Sequence, residues 1–547
     1  MEPQTTVAKP TEDGMEVYTA SQWLDLPNVA IAECLKVPAN SINIVIRRVG
    51  GSYGGKITRS CQTACAAALV THLLGRTCRF VVPIEINLRM TGKRIPTNCK
   101  FEVGVNKEGE IQYLKNTFYQ DNGYSPNETI SPITVNHFFN CYDSKRWYVE
   151  ANSVATDTPS NTWCRAPSST EGIAMIEYIM ERIAFTLGKD PLQVRLLNMA
   201  KENNPIPELI EQLKKDSNYE DRLVEVQKFN DNNRWRKRAL KLIPMTYDLF
   251  YIGNYNSIIS VFHIDGSIAI IHGGVEMGQG INTKAAQVCA YMLGAPLEKI
   301  SVKPSSSFTS PNTMCTGASV GSECIAFATM KACEILLKRL EPIKEKMGKP
   351  SWEDLISKAY NAGIDLQASY MYSNNDGVKP YDICGTCALE VEVDILSGNH
   401  DVRRVDLLED TGRSLSPIID VAQIEGAFIM GLGYWTSEKT LYDAESGKML
   451  TDRTWTYKPP GIKDIPADLR VYFRRNSTNP FGVLQSKATG EPALAMASVI
   501  THAFREALRA ARLDAGYDDQ WVDINYPCTV ENIFTAVGHK LEHFKLK

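Results

Sequence analysis

The sequence predicts an α+β protein of two large domains, and three observations lead to that prediction. A chain of 547 residues is too long for one hydrophobic core, because single cores stop growing at about 250–300 residues. Strand-like segments occur as hairpin pairs, at 100–115, 257–271 and 387–409, and hairpins join antiparallel strands. The helical segments stand apart from these pairs instead of alternating with single strands, as they would in an α/β protein.

In the first half, Ile42–Arg48 predicts a strand and the Ala-rich stretch Thr63–Leu74 predicts a helix after it. The 100–115 hairpin has its turn at Asn106–Gly109. From Thr170 to Leu187 the apolar residues are spaced three and four apart, and Gly188 follows where a left-handed cap would lie. This segment therefore predicts an amphipathic helix.

In the second half, the 257–271 hairpin turns at Asp265–Gly266 and leads into a polar glycine loop and a helix over Thr283–Leu293. A long helix is predicted over Cys324–Leu340, and Pro342 is expected to kink or end it. The last hairpin turns at 397–399, and an Ala-rich helix is predicted over Ala495–Arg512.

The domain boundary is predicted within Lys201–Arg238, where charged and polar residues dominate. This places a first domain at residues 1–205 and a second at residues 206–547.

The composition excludes several kinds of partner. The net charge is −4, whereas nucleic-acid and membrane-surface binders usually need a basic face, so neither partner is expected. No apolar run approaches the length of a membrane span, and the polar start does not resemble a signal peptide. The 14 cysteines show no paired framework and predict free thiols in a reducing compartment. We therefore expect a cytoplasmic protein.

Three glycine-bearing loops carry the strongest functional signal: His272–Gly280, Gly50–Gly55 and the turn Thr489–Pro492. Each precedes a helix. Glycine lets backbone N–H groups approach a ligand closely, and a helix N-terminus directs unbonded amides and a partial positive charge at the same point. The three loops together predict one large anionic cofactor, held mainly through the main chain.

Single motifs leave alternatives open. The Gly50–Gly55 loop has neither the Walker Lys-Ser/Thr ending nor the dinucleotide-binding spacing. Arg165 precedes a helix that Ser168, Ser169 or Thr170 can cap, and it either reaches an anion or is simply solvated.

Two further motifs are weighed in the same way. Glu491 at a helix start either stabilises the helix dipole or, among the apolar Leu494, Met496 and Val499, acts as a general base. The Cys384–Cys387 pair is rejected as a metal or redox site, because no second pair follows and an alternating strand continues.

Six motifs in this order resemble the molybdenum-binding portion of the aldehyde oxidase and xanthine dehydrogenase family, over essentially the whole chain. They are GGSYGGKITR (Gly50–Arg59), Arg165–Pro167, GGVEMGQG (Gly273–Gly280), TGASV (Thr316–Val320), QIEGAFIMGLG (Gln423–Gly433) and SKATGEP (Ser486–Pro492). The sequence is most similar to animal, insect-type aldehyde oxidases. The resemblance implies a molybdopterin cofactor between two elongated mixed α/β molybdopterin-binding domains.

The resemblance also implies roles for individual residues. Glu491 matches the family's general base, which deprotonates a molybdenum-bound hydroxyl during oxidative hydroxylation. Tyr53, Arg165 and Ala318 match positions near the molybdenum, and Gln279 matches a pterin contact. The remaining cofactor-binding residues expected from these motifs are Gly51, Gly54, Gly278, Gly280 and Ser319.

The expected substrate pocket contains Ile57, Ile133 and Pro167. Xanthine dehydrogenases have a Glu at the position of Ile57 and an Arg shortly before the Asn-Cys-Tyr that matches Asn140–Tyr142. Aliphatic residues at both places leave purine amides unpaired, at about 1–3 kcal/mol for each lost partner. The expected substrates are therefore small-molecule aldehydes, together with neutral N-heterocycles.

Full-length relatives carry two 2Fe-2S clusters and FAD in domains that have no counterpart here, and they form homodimers. The first molybdenum domain also begins part-way: a Gln-bearing loop is missing, and Met430 stands where many relatives have Gln. The preferred interpretation is a fragment of a longer aldehyde oxidase. The alternative is a catalytically inactive remnant or binding protein without electron-transfer domains.

Overall fold

The structure is a computed structural model that describes residues 2–544. Met1 and Lys545–Lys547, the outer ends of the two predicted domains, lie outside the described residues. Helices pack against several mixed sheets, which confirms the predicted α+β class.

Residues 2–200 form the first half of the fold. Its strands are β1 (Thr5–Pro10), β2 (Met15–Thr19), β3 (Ile42–Ile46), β4 (Cys78–Val81), β5 (Thr97–Val105), β6 (Ile111–Asp121) and β7 (Trp147–Val154). Its helices are α1 (Asp25–Leu35), α2 (Ser60–Leu74), α3 (Ile84–Met90), α4 (Ser131–Phe139), α5 (Ser169–Leu187) and α6 (Pro191–Asn198).

The remaining residues form the second half. Its helices are α7 (Ile206–Ser217), α8 (Tyr219–Asn232), α9 (Ile281–Leu293), α10 (Gly321–Met347), α11 (Trp352–Asn361), α12 (Pro417–Thr436), α13 (Pro492–Met496), α14 (Val499–Asp514) and α15 (Val530–Val537). Its strands are β8 (Arg236–Leu249), β9 (Tyr255–Val261), β10 (Ile268–His272), β11 (Ile300–Val302), β12 (Ser305–Ser306), β13 (Gln367–Tyr372), β14 (Tyr381–Asp394), β15 (His400–Glu409) and β16 (Asp468–Phe473).

All three predicted hairpins are present as antiparallel pairs, β5 with β6, β9 with β10 and β14 with β15. Each sheet extends its hairpin with a parallel or a further antiparallel neighbour, in the orders β5-β6-β7, β11-β10-β9-β13 and β16-β15-β14-β8. The predicted helix α5 ends where expected, with Gly188 left-handed at φ 64°.

The two halves are interlocked. The fourth sheet has the order β12-β3-β2-β1-β4, so a strand from the second half forms the edge of a sheet built by the first. Ser307 strengthens this join, because its hydroxyl accepts a 2.8 Å hydrogen bond from the amide of Ile44. One hydrophobic core likewise unites α4, α5 and β6 with residues of α7 and β14.

Two local expectations are corrected. Helix α10 continues through Pro342 to Met347, so Pro342 does not end it. The carbonyl of Lys338, which would bond the missing N–H, belongs to an exposed residue, so water can satisfy it. The predicted helix 495–512 is two helices, because the amides of Ala497 and Ser498 make i to i+3 bonds that interrupt it.

The polar segment 201–238, where the domain boundary is predicted, is mostly α7 and α8, and α7 buries an apolar face in the shared core.

Within residues 2–544, no helix combines the length and apolarity needed to cross a membrane. The 14 cysteines are all free thiols.

Candidate active site

A cavity of about 550 Å³ lies between the two halves, within the 300–1,000 Å³ range of small-molecule sites. All three predicted loops contribute to its walls, together with the segments that lead into α5 and α10 and with part of α12. The main wall segments are 52–57, 163–168, 277–279, 315–323, 422–426 and 486–491.

Gln22 connects the loops that surround the cavity. Its side-chain oxygen accepts a hydrogen bond from the amide of Gly54 at 2.9 Å, and its side-chain nitrogen donates to the carbonyl of Thr316 at 2.9 Å. The first two glycine loops also touch directly, since the amide of Val49 donates to the carbonyl of Glu276 at 2.9 Å. These bonds fix the cavity walls relative to one another.

The 272–280 loop corrects one expectation. The amides of Gly278, Gly280 and Asn282 donate to the carboxylate of Glu276, at 2.9, 3.1 and 3.2 Å. The amides of Gly280 and Asn282 at the start of α9 are therefore bonded to the loop's own acid, because this carboxylate lies only four and six residues away.

The side chain of Gln279 is also occupied within its loop. It accepts from the amide of Met277 at 2.8 Å and donates to the carbonyl of Val275 at 2.9 Å. Its own backbone amide makes no hydrogen bond to any residue that the structure describes. The group that Gln279 can offer a ligand in the cavity is therefore its backbone amide, not its side chain.

The segment before α10 holds unbonded donors against the cavity. Ala318 and Ser319 are both left-handed, at φ 51° and 58°, a conformation that costs non-glycine residues energy and is concentrated at functional sites. Neither amide bonds a protein acceptor in the described part of the chain, and the buried hydroxyl of Ser319 has no partner there.

Two other cavity-lining polar groups also lack hydrogen-bond partners in the described part of the chain. The hydroxyl of Ser52 and the indole nitrogen of Trp163 are buried without a hydrogen-bond partner among residues 2–544. Buried polar atoms are normally bonded. These orphaned groups therefore indicate a polar ligand in this part of the cavity.

Arg165 lines the cavity and is not simply solvated. It is buried, and burial lowers the pKa of its guanidinium. Its Nε donates to the carbonyl of Gly490 at 2.6 Å, and its Nη2 donates to the backbone and side-chain oxygens of Gln423 at 3.0 and 3.1 Å. Arg165 thus ties the loop containing Glu491 to α12.

The serine and threonine hydroxyls after Arg165 do not cap α5. Those of Ser169 and Thr170 donate instead to the carbonyl of Ala166, at 3.3 and 2.8 Å, and no side chain caps the helix. The left-handed turn at Ala166, φ 58°, brings that carbonyl over the helix start.

Glu491 lines the cavity at the start of α13 and is half-buried. Its Oε2 accepts a 2.5 Å hydrogen bond from the hydroxyl of Tyr247 on β8. Its Oε1 has no hydrogen-bond partner among the described residues. One carboxylate oxygen is therefore anchored, and the other is available for a proton.

His137 and Asp248 lie next to this pair. The ring of His137 packs on that of Tyr247 with centroids 5.1 Å apart, and its Nδ1 lies 2.9 Å from Asp248 Oδ1. Burial acts to raise the pKa of Asp248, but the hydrogen bond and charge of His137 outweigh it and lower that pKa. His137 also lines the cavity.

The expected substrate residues Ile57, Ile133 and Pro167 all line the cavity. Further apolar side chains, Ile130, Phe250 and Ile252, line it as well. These apolar side chains favour an apolar substrate.

Of the other predicted residues, Tyr53, Gly54, Gly278, Gln279, Ala318 and Ser319 line the cavity, whereas Gly51 and Gly280 do not. Gly54 permits a close approach of two walls, since a Cβ there would lie 2.8 Å from the carbonyl oxygen of Trp163. Met430 contacts the Arg165 guanidinium through its sulfur, at 3.8 Å.

Sequence reasoning missed Gln22, His137, Tyr247 and Lys284, which also line the cavity. Lys284 pairs with Asp420 at 2.9 Å. Tyr247 lies on a strand and His137 on a short helix, with neither glycine loop nor motif beside them. No local sequence signal identifies such residues.

Comparison with known proteins gives matches over almost the whole chain. Residues 1–199 and 212–466 match two families, each described as molybdopterin cofactor-binding domain. Xanthine dehydrogenase/oxidase of Mus musculus is 35% identical over 98% of this chain and 42% of its own length. A probable aldehyde oxidase 2 of Oryza sativa subsp. japonica is 33% identical over 98% of this chain and 42% of its own length.

A solved structure gives the same fold. Quinoline 2-oxidoreductase from Pseudomonas putida 86 superposes with a TM-score of 0.85 and 20% identity, over 98% of this chain and 74% of that chain. The chain spans about two-fifths of the length of the curated relatives above, 42% in both cases. Their names cover different substrates at similar identity, so identity alone does not select one.

Proposed function

Because the chain belongs to the molybdenum hydroxylase family of xanthine dehydrogenases and aldehyde oxidases, we propose that the protein is an aldehyde oxidase-like enzyme. It converts aldehydes to carboxylic acids, and it also accepts neutral N-heterocycles. Water supplies the added oxygen, and two electrons and two protons leave the substrate and water together.

The residues present fit a molybdopterin. The unbonded amides of Gln279, Ala318 and Ser319 and the orphaned hydroxyls of Ser52 and Ser319 are suited to a ligand rich in hydrogen-bonding groups. Lys284 also lines this cavity, with its charge paired to Asp420 at 2.9 Å. When bound, the cofactor supplies the redox chemistry by taking up the electron pair that leaves the substrate carbon.

Glu491 is the proposed general base. Its free Oε1 takes the proton of the attacking oxygen, while the bond from Tyr247 holds the carboxylate in one orientation. Arg165 fixes the backbone on which Glu491 is carried, through its 2.6 Å bond to the Gly490 carbonyl. The base is thus positioned from both its side chain and its main chain.

The observation that supports an aldehyde over a purine is that the apolar side chains of Ile57, Ile133 and Pro167, called here the apolar wall, all line the cavity. A purine carries several amide groups, and each one left unpaired in this wall would cost about 1–3 kcal/mol. An aromatic or aliphatic aldehyde has only its carbonyl to satisfy, and its remaining surface is stabilised by burial against these side chains.

Turnover of benzaldehyde and hypoxanthine by the molybdenum-loaded protein, with dichlorophenolindophenol as acceptor, tests the proposal. We expect kcat/KM for benzaldehyde to exceed that for hypoxanthine at least tenfold. Preferred turnover of hypoxanthine would contradict the substrate class. A protein that stays soluble yet binds no molybdenum would support the remnant alternative instead.

A further inference from the structure

We propose that Tyr247 is a positioning residue for Glu491: its phenol holds one carboxylate oxygen so that the other faces the reacting atoms. This inference rests on the proposed function, because it assumes that Glu491 acts as the base. Tyr247 belongs to no motif of the chain's glycine loops, and it reaches the site from strand β8.

The contact geometry supports this role. Tyr247 is buried and lines the cavity, and its hydroxyl donates to Glu491 Oε2 at 2.5 Å. Because Oε1 is unbonded among residues 2–544, the phenol selects which oxygen of Glu491 remains free.

The phenol is itself held rigidly. In the sheet, Tyr247 pairs with Ile383 of β14, and its ring packs on the imidazole of His137, which Asp248 holds at 2.9 Å. Burial, followed by the charge of Glu491, raises the pKa of Tyr247 well above its usual value. The phenol therefore stays protonated, and remains a donor, at every pH at which the enzyme would be assayed.

Several charged or titratable groups surround this pair, and they come from the elements packed against it. Arg165 interacts with Glu491, Asp248 interacts with Tyr247, and His137 from α4 packs on Tyr247. At one remove, Tyr53 interacts with Arg165, Glu171 from α5 with His137, and Asp382 from β14 with Asp248. Helix α12 contributes the uncharged Gln423. Because Tyr247 makes the hydrogen bond to the Glu491 side chain, its removal is expected to act on Glu491 more than on any of these groups.

The first test uses the cofactor-free protein and needs no turnover. Infrared difference spectra with ¹³C-labelled glutamate, wild type minus Glu491→Gln, isolate the carboxylate band of Glu491. The same difference in a Tyr247→Phe background should show that band at higher wavenumber, because the phenol bond is gone. An unchanged band would overturn the inference.

The second test uses the molybdenum-loaded enzyme with benzaldehyde. Tyr247→Phe should lower kcat about 10- to 100-fold, the worth of a hydrogen bond to a charged group, and leave KM within about twofold. A change in KM alone, or an unchanged kcat, would contradict the positioning role.

Tyr142→Phe is the matched control. Tyr142 is also buried and donates its hydroxyl to a buried carboxylate, Glu177 Oε1, at 2.6 Å, but it does not line the cavity. This variant should lose stability and keep kcat. If Glu491→Gln retains full activity, the proposed function fails; if Glu491→Gln is inactive while Tyr247→Phe is normal, only the role of Tyr247 fails.

Discussion

Replacing Glu491 by Gln tests the chemistry of the site with little change of shape. Gln retains a side-chain oxygen that can accept the bond from Tyr247, and the backbone bond from Arg165 to Gly490 does not involve the substituted atoms. Burial lowers the pKa of Arg165, and the charge of Glu491 only partly offsets this; every bond that Arg165 donates ends on an uncharged acceptor. The variant should therefore fold normally and bind the cofactor normally.

The expected effect falls on kcat. A positioned general base contributes about 10²–10⁴-fold, which corresponds to about 2.7–5.5 kcal/mol of activation free energy. Because Oε1 is the unbonded oxygen and an amide cannot take a proton from the attacking oxygen, this whole contribution should be lost. KM should change little, since the apolar wall at Ile57 and Ile133 is untouched.

The assay is kcat and KM for benzaldehyde at matched molybdenum content. Glu334→Gln on α10 makes the same substitution at an exposed residue outside the cavity and should be neutral. A Glu491→Gln variant with wild-type metal content and more than a tenth of the wild-type kcat would refute the assignment of the base.

Two further predictions concern stability. Arg195→Met should lower the free energy of unfolding in denaturant by about 3–5 kcal/mol, because buried Glu177 and Glu181 lose their ion-pair partner at 2.6 and 3.0 Å. The control Arg339→Met, at a more exposed ion pair, should lower it by less than about 1 kcal/mol. Equal losses in the two variants would contradict this reasoning. Burial lowers the pKa of His272 to about 4, below an unfolded value of about 6.5, so the unfolded chain binds the proton first and stability is lost as pH falls from about 6.5 towards 4. Between these pH values the free energy of unfolding should fall by up to about 1.4 kcal/mol per pH unit. His272→Gln should reduce this slope. An identical slope in that variant would count against His272 as the group responsible.

The hairpins and helix α5 could be predicted because their signals are local: Asp265–Gly266 is a turn by its own chemistry, and Gly188 ends a regular apolar period. The expectation that Pro342 could end α10 was wrong, because the energetic cost of a proline inside this helix depends on whether the carbonyl of Lys338 reaches water. That is a property of the fold. The glycine loops correctly located the cavity. The bonds from the 272–280 loop amides to the loop's own Glu276 could not be anticipated, since a helix cap or a ligand would satisfy the same N–H donors.

The side-chain partners that meet at the cavity could not be predicted from the sequence, for a related reason. Arg165 and Gly490 are 325 positions apart in the chain, and Tyr247 and Glu491 are 244 apart. Only the packing of whole sheets brings such residues together, and a lone Tyr within a strand gives no sign of its partner.

The edge strand that β12 adds to the first sheet has a consequence for how the protein is made. Ile44 and Ser307 are separated by 263 positions, so the ribosome must release the whole first half and the start of the second, through Ser306, before the first sheet can gain its last neighbour. Until then β3 presents an open edge, which is a site for pairing with other nascent chains. Synthesis of this protein is therefore expected to benefit from a chaperone that shields β3 until Ser305–Ser306 arrives.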